Sequence, residues 1–234
     1  MKNVVFKFKQ FEVIQSEKIF KVGTDGVLLG LLTDIITSER ILDIGTGTGI
    51  VALILAQRTN NTSIIGIDLD ENAYHLAKEN FNKSPFSERL TAVFGDIKTT
   101  VFNEKFDTIV SNPPYFDSQS TLHSKNILAR QQVQLNYGQL FDFVQKNVTE
   151  KGNFTLIYPY ENETDILQIA KNNNLFLNKN IQVKGIENGK IKRNISTFSF
   201  IETEIKTETF VLEKAPREYS DEYKILAKDY YLKF

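Results

Sequence analysis

Four consecutive residues, Asn112-Pro113-Pro114-Tyr115, close the apolar run Phe106-Asp107-Thr108-Ile109-Val110-Ser111. Their types suit chemistry on a planar amine. The Asn112 side-chain carbonyl and a backbone carbonyl beside it can both accept hydrogen bonds from one exocyclic NH₂ group. The prolines stiffen the turn and have no N–H of their own, which leaves carbonyls facing a substrate. Tyr115 offers a ring on which a flat base can stack. Asn-Pro pairs also mark plain strand-to-loop turns, so a second, independent motif has to decide between the two readings.

That motif lies upstream, at Arg40-Ile41-Leu42-Asp43-Ile44-Gly45-Thr46-Gly47-Thr48-Gly49, followed by Ile50-Val51-Ala52-Leu53-Ile54-Leu55-Ala56. It reads as a short apolar strand, a glycine-rich turn and a helix. Gly45, Gly47 and Gly49 let the backbone turn sharply around Thr46 and approach a ligand closely. Nineteen residues beyond Gly49, Asp68 closes a second apolar run, where an acid is placed to bond ribose hydroxyls. A dinucleotide-binding loop would carry a small residue at position 50, and Ile50 stands there instead. Asp43 is an awkward neighbour for phosphate but suits the ammonium and sulfonium groups of S-adenosylmethionine. A third strand, Leu90-Thr91-Ala92-Val93-Phe94, ends in Gly95-Asp96-Ile97. The Asp96 carboxylate and the Ile97 N–H can together read the amine and ring nitrogen of adenine.

Taken in order, Asp43 to Gly49, Asp68, Gly95-Asp96-Ile97 and Asn112 to Tyr115 resemble class I S-adenosylmethionine-dependent N-methyltransferases. The flanks Phe8-Lys9-Gln10-Phe11, Lys21 to Gly30, Leu55 to Thr59, Tyr219 to Tyr223 and Tyr230-Tyr231-Leu232 narrow the resemblance to the bacterial tRNA1(Val) adenine-N6 methyltransferases. It runs nearly end to end. It is weaker from Asp117 to Leu135 and from Ile181 to Asn194, stretches expected to carry substrate contacts. The resemblance implies methylation of N6 of adenine 37, just 3′ of the valine anticodon. Asp43, Gly45, Thr46, Gly47, Gly49, Asp68, Asp96 and Ile97 would then bind the cofactor, with Asn112 belonging to both the cofactor and the catalytic set. Asn112, Pro113, Pro114 and Tyr115 would hold the target base, and Thr24 and Asp25 would lie near the methionine end or the base.

Composition agrees with this picture. A chain of 234 residues, 41% of them hydrophobic, can bury a sizeable core as one domain. Residues 1–39 are expected to form an N-terminal hairpin and helix extension on a core spanning 40–234. No apolar run reaches membrane-spanning length, and the first residues lack a charged-then-apolar signal segment. There is no cysteine, and His75 and His123 are too far apart to suggest a metal site. These features predict a cytoplasmic protein without metal.

With 28 basic and 29 acidic residues, positive charge for nucleic acid has to be local. Lys190, Lys192 and Arg193, around a hairpin turn at Glu187-Asn188-Gly189-Lys190, are one candidate cluster for RNA phosphates. Lys2, Lys7, Lys9, Lys18 and Lys21 form a second basic group near the cofactor-binding core, Arg130 is a third candidate, and Thr24 is a further candidate for contact with RNA. A solvated charged hairpin and a helix-surface arginine are the plain alternatives.

Strand-like runs begin at Arg40, Ser63, Leu90, Phe106, Asn153, Ile181 and Ile195. Helical periodicity covers Ile50–Gln57, Asn72–Phe81, Tyr137–Asn147 and Glu163–Asn173. The alternation predicts an α/β fold, a mostly parallel Rossmann-like sheet with helices on both faces. The last two strands are expected to pair antiparallel at one edge. The resemblance implies seven strands in the order 3-2-1-4-5-7-6. Val4–Val13 suggests a small hairpin and Thr209–Leu212 a further edge strand.

Three rivals share some of these features. A DNA adenine methyltransferase normally needs a separate target-recognition region. A release-factor glutamine methyltransferase carries an extra helical domain ahead of the cofactor motif, whereas 39 residues precede Arg40. A cofactor-sensing or RNA-binding module without catalysis would not require Asn112 to Tyr115.

Overall fold

Each apolar run ends where a turn signal stands, and the elements follow. In the computed structural model, which describes residues 4–15, 21–35, 38–113 and 137–233, four strands start where the runs do. They are β3 (Arg40–Ile44), β4 (Ser63–Asp68), β5 (Leu90–Phe94) and β6 (Phe106–Ser111). They follow an N-terminal hairpin, β1 (Val4–Lys7) and β2 (Glu12–Gln15), paired from Val4↔Gln15 to Lys7↔Glu12. Beyond β6 come β7 (Val148–Pro159), β8 (Phe176–Ile186), β9 (Ile191–Ser199), β10 (Lys206–Ala215) and β11 (Glu218–Tyr219).

Nine of these strands form one sheet, in the order β11-β10-β8-β9-β7-β6-β3-β4-β5. Counted from β3 as the first, the seven strands β3 to β9 lie in the order 3-2-1-4-5-7-6. Strands β3 to β7 pair parallel with their neighbours, and β9 lies antiparallel between β7 and β8. The order reverses between β3 and β6, which is where a doubly wound sheet opens a crevice at its strand ends.

Alternation along the strands divides the core. Ile41, Ile64, Val110, Ile157 and Ile195 face one side, against α1 (Thr24–Leu32) and α2 (Ile50–Arg58). Leu42, Ile44, Ile109, Leu156 and Phe198 face the other, against α4 (Tyr137–Asn147) and α5 (Glu163–Asn172). Helix α2 is buried all round from Ile50 to Ala56, because the sheet covers one side and α1 the other. Gly26 and Gly30 make that second contact possible. A Cβ on Gly30 would stand 2.9 Å from Ile54 Cβ, and one on Gly26 3.2 Å from Ile50 Cγ2. Helix α3 (Glu71–Lys83) is amphipathic, and the Asp70 carboxylate caps it by accepting from Asn72 N–H at 2.7 Å.

Three expectations are corrected. The sheet has nine strands, since β10 extends the 209–212 run in both directions and β11 follows it. The β8–β9 pair is antiparallel but does not form the edge. Strand β10 lies parallel beside β8, with Phe210 and Tyr223 buried in the same core as Ile181 and Val183. Strands β7, β8 and β9 also begin four or five residues before the expected Asn153, Ile181 and Ile195. At β7 the polar residues Thr149 to Lys151 concealed the start; they lie where the pairing with β6 slips register. Gly152 allows that bulge, because a Cβ there would come within 2.8 Å of the Asp107 carbonyl.

Sequence-distant contacts close the first face. The C-terminal helix α6 (Asp221–Ala227) buries Tyr223, whose hydroxyl donates to that of Tyr231 at 3.0 Å. Tyr231 packs against Phe6 and Phe8, so the C-terminal tail lies on the N-terminal hairpin.

Candidate active site

The glycine loop leaves β3 and enters α2 with Gly45, Gly47 and Gly49 all at positive φ, 71°, 55° and 82°. Side chains rarely adopt that conformation. Gly45 N–H and Thr46 N–H both donate to the Ile67 carbonyl, at 2.9 and 3.1 Å, which fastens the loop across β4. Gly47 N–H donates to Asp68 Oδ2 at 2.8 Å. The three glycines differ in what they face. A Cβ on Gly45 would meet nothing within 4 Å, and one on Gly47 only the Gly45 carbonyl, at 4.0 Å. A Cβ on Gly49 would collide with the Phe81 ring at 2.4 Å. The first two keep backbone open towards the crevice, and the third lets α3 pack beneath the loop.

Asp43 lies beneath the loop, 1% exposed. Its carboxylate accepts from Thr46 Oγ1 at 2.7 Å and from the Ala52 N–H in the first turn of α2. Burial outweighs these bonds and pushes the Asp43 pKa up to about 7, with Asp68 adding a smaller effect of the same sign. Burial also raises the pKa of Asp68, against bonds from the Asp70 and Gly47 N–H groups. Two carboxylates held reluctantly charged beside open backbone form an environment that favours a cationic, hydroxyl-bearing ligand. Asp96 stands at the next strand end, where Oδ1 accepts from Lys98 N–H at 2.9 Å and Oδ2 pairs with Lys98 Nζ at 3.1 Å. Ile97 beside it is buried.

On the other side of the switch point, the Ser111 hydroxyl donates to the Ile44 carbonyl at 3.0 Å and fixes the end of β6 to the end of β3. Asn112 follows, half-buried, with Pro113 buried. The first turn of α1 lies against them: a Cβ on Gly26 would be 3.7 Å from Asn112 Nδ2. Thr24 opens that helix and is exposed. The crevice therefore has two sides, one at the ends of β3, β4 and β5 and the other at the end of β6. Lys2, Lys18, Pro114, Tyr115 and Arg130 lie outside the described residues.

The basic candidates separate. Pro159 at the end of β7 pairs with Arg193, so β9 starts at the end of the sheet where β6 stops. Lys190 and Lys192 are exposed there, and Arg193 forms an ion pair with Asp25. Lys21, also exposed, shortly precedes α1. Lys9 is elsewhere: Nζ donates to the Lys228 carbonyl at 2.6 Å, beside Asp229, whose carbonyl accepts from Gln57 near the end of α2. The nine-residue length of α2, about 13 Å, separates it from the glycine loop. Lys9 therefore stands apart from the glycine loop, because the hairpin turn lies at the far end of α2.

Asn80 lies outside the sequence motifs. It is fully buried on α3, accepts from Ile14 N–H at 2.8 Å, and donates to the carbonyls of Ile14 and Thr48 at 3.1 and 2.8 Å. One side chain thus ties the N-terminal hairpin to the glycine loop. A polar residue on the apolar stripe Ala73, Leu76, Ala77, Asn80, Phe81 was the available signal. The four-residue spacing of Gly26 and Gly30 was another.

A mostly parallel sheet of this order, with an open glycine loop after its first central strand, an acid closing the second and Asn-Pro after the fourth, is the arrangement of a class I methyltransferase. A family model for the methyltransferase small domain matches residues 6–154. Two relatives carry the name tRNA1(Val) (adenine(37)-N6)-methyltransferase. One, from Flavobacteriaceae bacterium (strain 3519-10), is 40% identical over 227 residues, covering 97% of each chain. The other, from Bacteroides fragilis (strain YCH46), is 40% identical over 237 residues and the whole of both chains. The solved structure of the glycopeptide N-methyltransferase MtfA, complexed with S-adenosyl-L-methionine, superposes with a TM-score of 0.56 at 10% identity, over 76% of this chain and 93% of that one. That likeness is one of fold. The chain belongs to the methyltransferase small domain family and, within it, to the tRNA1(Val) (adenine(37)-N6)-methyltransferases.

Among the described residues no helix is long and apolar enough to cross a membrane, and no group of His, Cys, Asp and Glu is placed to hold a metal.

Proposed function

We propose that this protein is a cytoplasmic, single-domain enzyme that methylates N6 of adenine 37 in the anticodon loop of tRNA1(Val), using S-adenosylmethionine. The observation that carries the reading is the placement of Asn112 beside the end of β3, held there by the Ser111–Ile44 bond, within a chain 40% identical over its whole length to relatives of that name.

The residues present fit the cofactor. Gly45 and Gly47 leave open backbone at the loop, Asp43 supplies buried negative charge, and Asp68 and Asp96 stand at the next two strand ends. These residues would hold it, with Thr46 and Ile97 shaping the walls. When bound, S-adenosylmethionine supplies an electrophilic methyl group.

The chain's own contribution is to the amine. An adenine NH₂ is a poor nucleophile because its lone pair is delocalised into the ring. Acceptance of its two N–H bonds by the Asn112 side chain and the Pro113 carbonyl draws the nitrogen towards sp³ geometry and frees the lone pair. No strong base is needed, since the proton is lost after methylation, when the nitrogen is far more acidic. The protein's main task is orientation, which alone lowers a barrier by several kcal/mol, about 7 to 11 in well-ordered cases. An anticodon-loop base is also extruded more readily than one in a duplex. Lys190 and Lys192, exposed at the same end of the sheet, supply positive charge for the tRNA backbone.

The direct test is transfer of labelled methyl from S-adenosylmethionine to unmodified tRNA1(Val), beside the same tRNA with guanine at position 37. Incorporation into the first alone is expected. Equal incorporation into both would move the target base, and none into either would discard the RNA substrate.

A further inference from the structure

Asp25 and Arg193 stand 168 residues apart in the chain and meet side by side, Arg193 Nε to Asp25 Oδ2 at 2.9 Å. Arg193 Nη1 also donates to the Lys192 carbonyl at 2.9 Å, which orients the guanidinium. Both side chains remain about 30% exposed (31% and 28%). An ion pair this open to solvent contributes little to global stability, so its placement calls for another explanation.

Its position supplies one. Asp25 lies in the first turn of α1 and immediately precedes Gly26, the point where that helix approaches Asn112. Arg193 opposes Pro159 at the end of β7, the strand next to β6. The glycine contacts Gly26–Ile50 and Gly30–Ile54 fasten α1 to the cofactor side of the crevice through α2. On the substrate side, the Asp25–Arg193 pair fastens the same first turn to the sheet. Asn112 lies against the turn that is held from both sides.

We propose that Asp25 and Arg193 are positioning residues for methyl transfer: their ion pair fixes the first turn of α1 against Asn112, and Arg193 acts through Asp25 without touching RNA phosphate. The proposal rests on the N6-methylation reading above. It assigns to Arg193 a role different from that of its exposed neighbours Lys190 and Lys192. Small displacements of an orienting group are costly, since about 1 Å can lower a rate about a hundredfold.

The test compares Asp25→Asn, Arg193→Gln, the double variant and the charge exchange Asp25→Arg with Arg193→Asp, on tRNA1(Val). Readouts are kcat, KM for tRNA, its dependence on salt, cofactor Kd and melting temperature. Each single variant is expected to lose about tenfold or more in kcat, the double to be no worse than the weaker single, and the exchange to recover part of the loss. KM for tRNA, its salt slope and cofactor Kd should stay within about twofold of wild type. Arg193→Lys, which keeps the charge, should retain most of kcat. A raised KM and a salt slope reduced by about one in Arg193→Gln, with Asp25→Asn fully active, would make Arg193 a phosphate contact and overturn the proposal. Unchanged kcat in both singles would overturn it as well. A loss of kcat that tracks equal losses of melting temperature and cofactor affinity would reduce the pair to general stability. A wild-type protein that methylates no tRNA would remove the functional reading and this role together, whereas an active wild type beside unaltered variants counts against the pair alone.

Discussion

The two sides of the crevice are built differently. On the side proposed for the cofactor, three successive strand–loop units place Gly45 to Gly49, Asp68 and Asp96 in order along the chain. Backbone geometry does most of the work there: positive φ at three glycines, and two N–H groups shared on the Ile67 carbonyl. On the side proposed for the substrate, Asp25, Asn112, Pro159 and Arg193 converge from four separate stretches of chain, where the Asp25–Arg193 pair and the Ser111 hydroxyl add to the pairing of β7 with β9. A site made of backbone resists substitution at the glycines that shape it. A site made of side chains can be retuned by single changes, which suits the half of an enzyme that must recognise its particular substrate.

That contrast can be broken most sharply at Asn112. Asn112→Ala would remove the proposed acceptor on the amine and should cost at least about a hundredfold in kcat, far more than it costs in cofactor affinity. Single-turnover methyl transfer together with calorimetric cofactor titration checks both halves of that statement. Gly49→Ala should do the reverse. A Cβ at φ 82° and 2.4 Å from the Phe81 ring forces the loop and α3 apart. Strain and clash together predict a loss of about 2 to 4 kcal/mol in urea unfolding, along with most cofactor binding.

The electrostatic half of the contrast is tested with pH. Burial raises the Asp43 pKa from 3.8 to about 7 in the folded chain. The folded state therefore binds a proton that the unfolded state has released. This contribution to stability is full below about pH 4 and is lost as pH rises through 7. The cationic cofactor favours the carboxylate, so its affinity should rise over the upper part of that window. Titrations at pH 6 and pH 8 should differ by up to about tenfold in wild type, and this component should vanish in Asp43→Asn. Smallest of all, replacing Lys190 and Lys192 together by Gln should weaken tRNA binding only a few-fold, about threefold, while lowering the salt slope by up to about two. A loss in kcat with unchanged binding would place those lysines in the catalytic half.

The strands and loops around the proposed cofactor side were legible in the sequence because their logic is local. A glycine loop, an acid closing the next strand and Gly-Asp closing the third each follow from a few neighbouring residues, and their spacing is that of consecutive strand–helix units. Strand starts at Arg40, Ser63, Leu90 and Phe106 fell where the apolar runs began. The later strands were harder, since β7 opens on polar residues at a bulge and β10 covers what would otherwise be an edge. The sequence by itself determined the chemistry available: an amine-holding carbonyl, stiffened by proline, and a loop without Cβ atoms. Only the tertiary structure decided which distant residues complete the site. Asn80 joins β2 to the glycine loop, Gly26 brings α1 onto Asn112, Arg193 pairs with Asp25, and Lys9 lies at the far end of α2. Such pairings depend on how helices pack against a sheet, a property of the whole chain that no short window of residues contains.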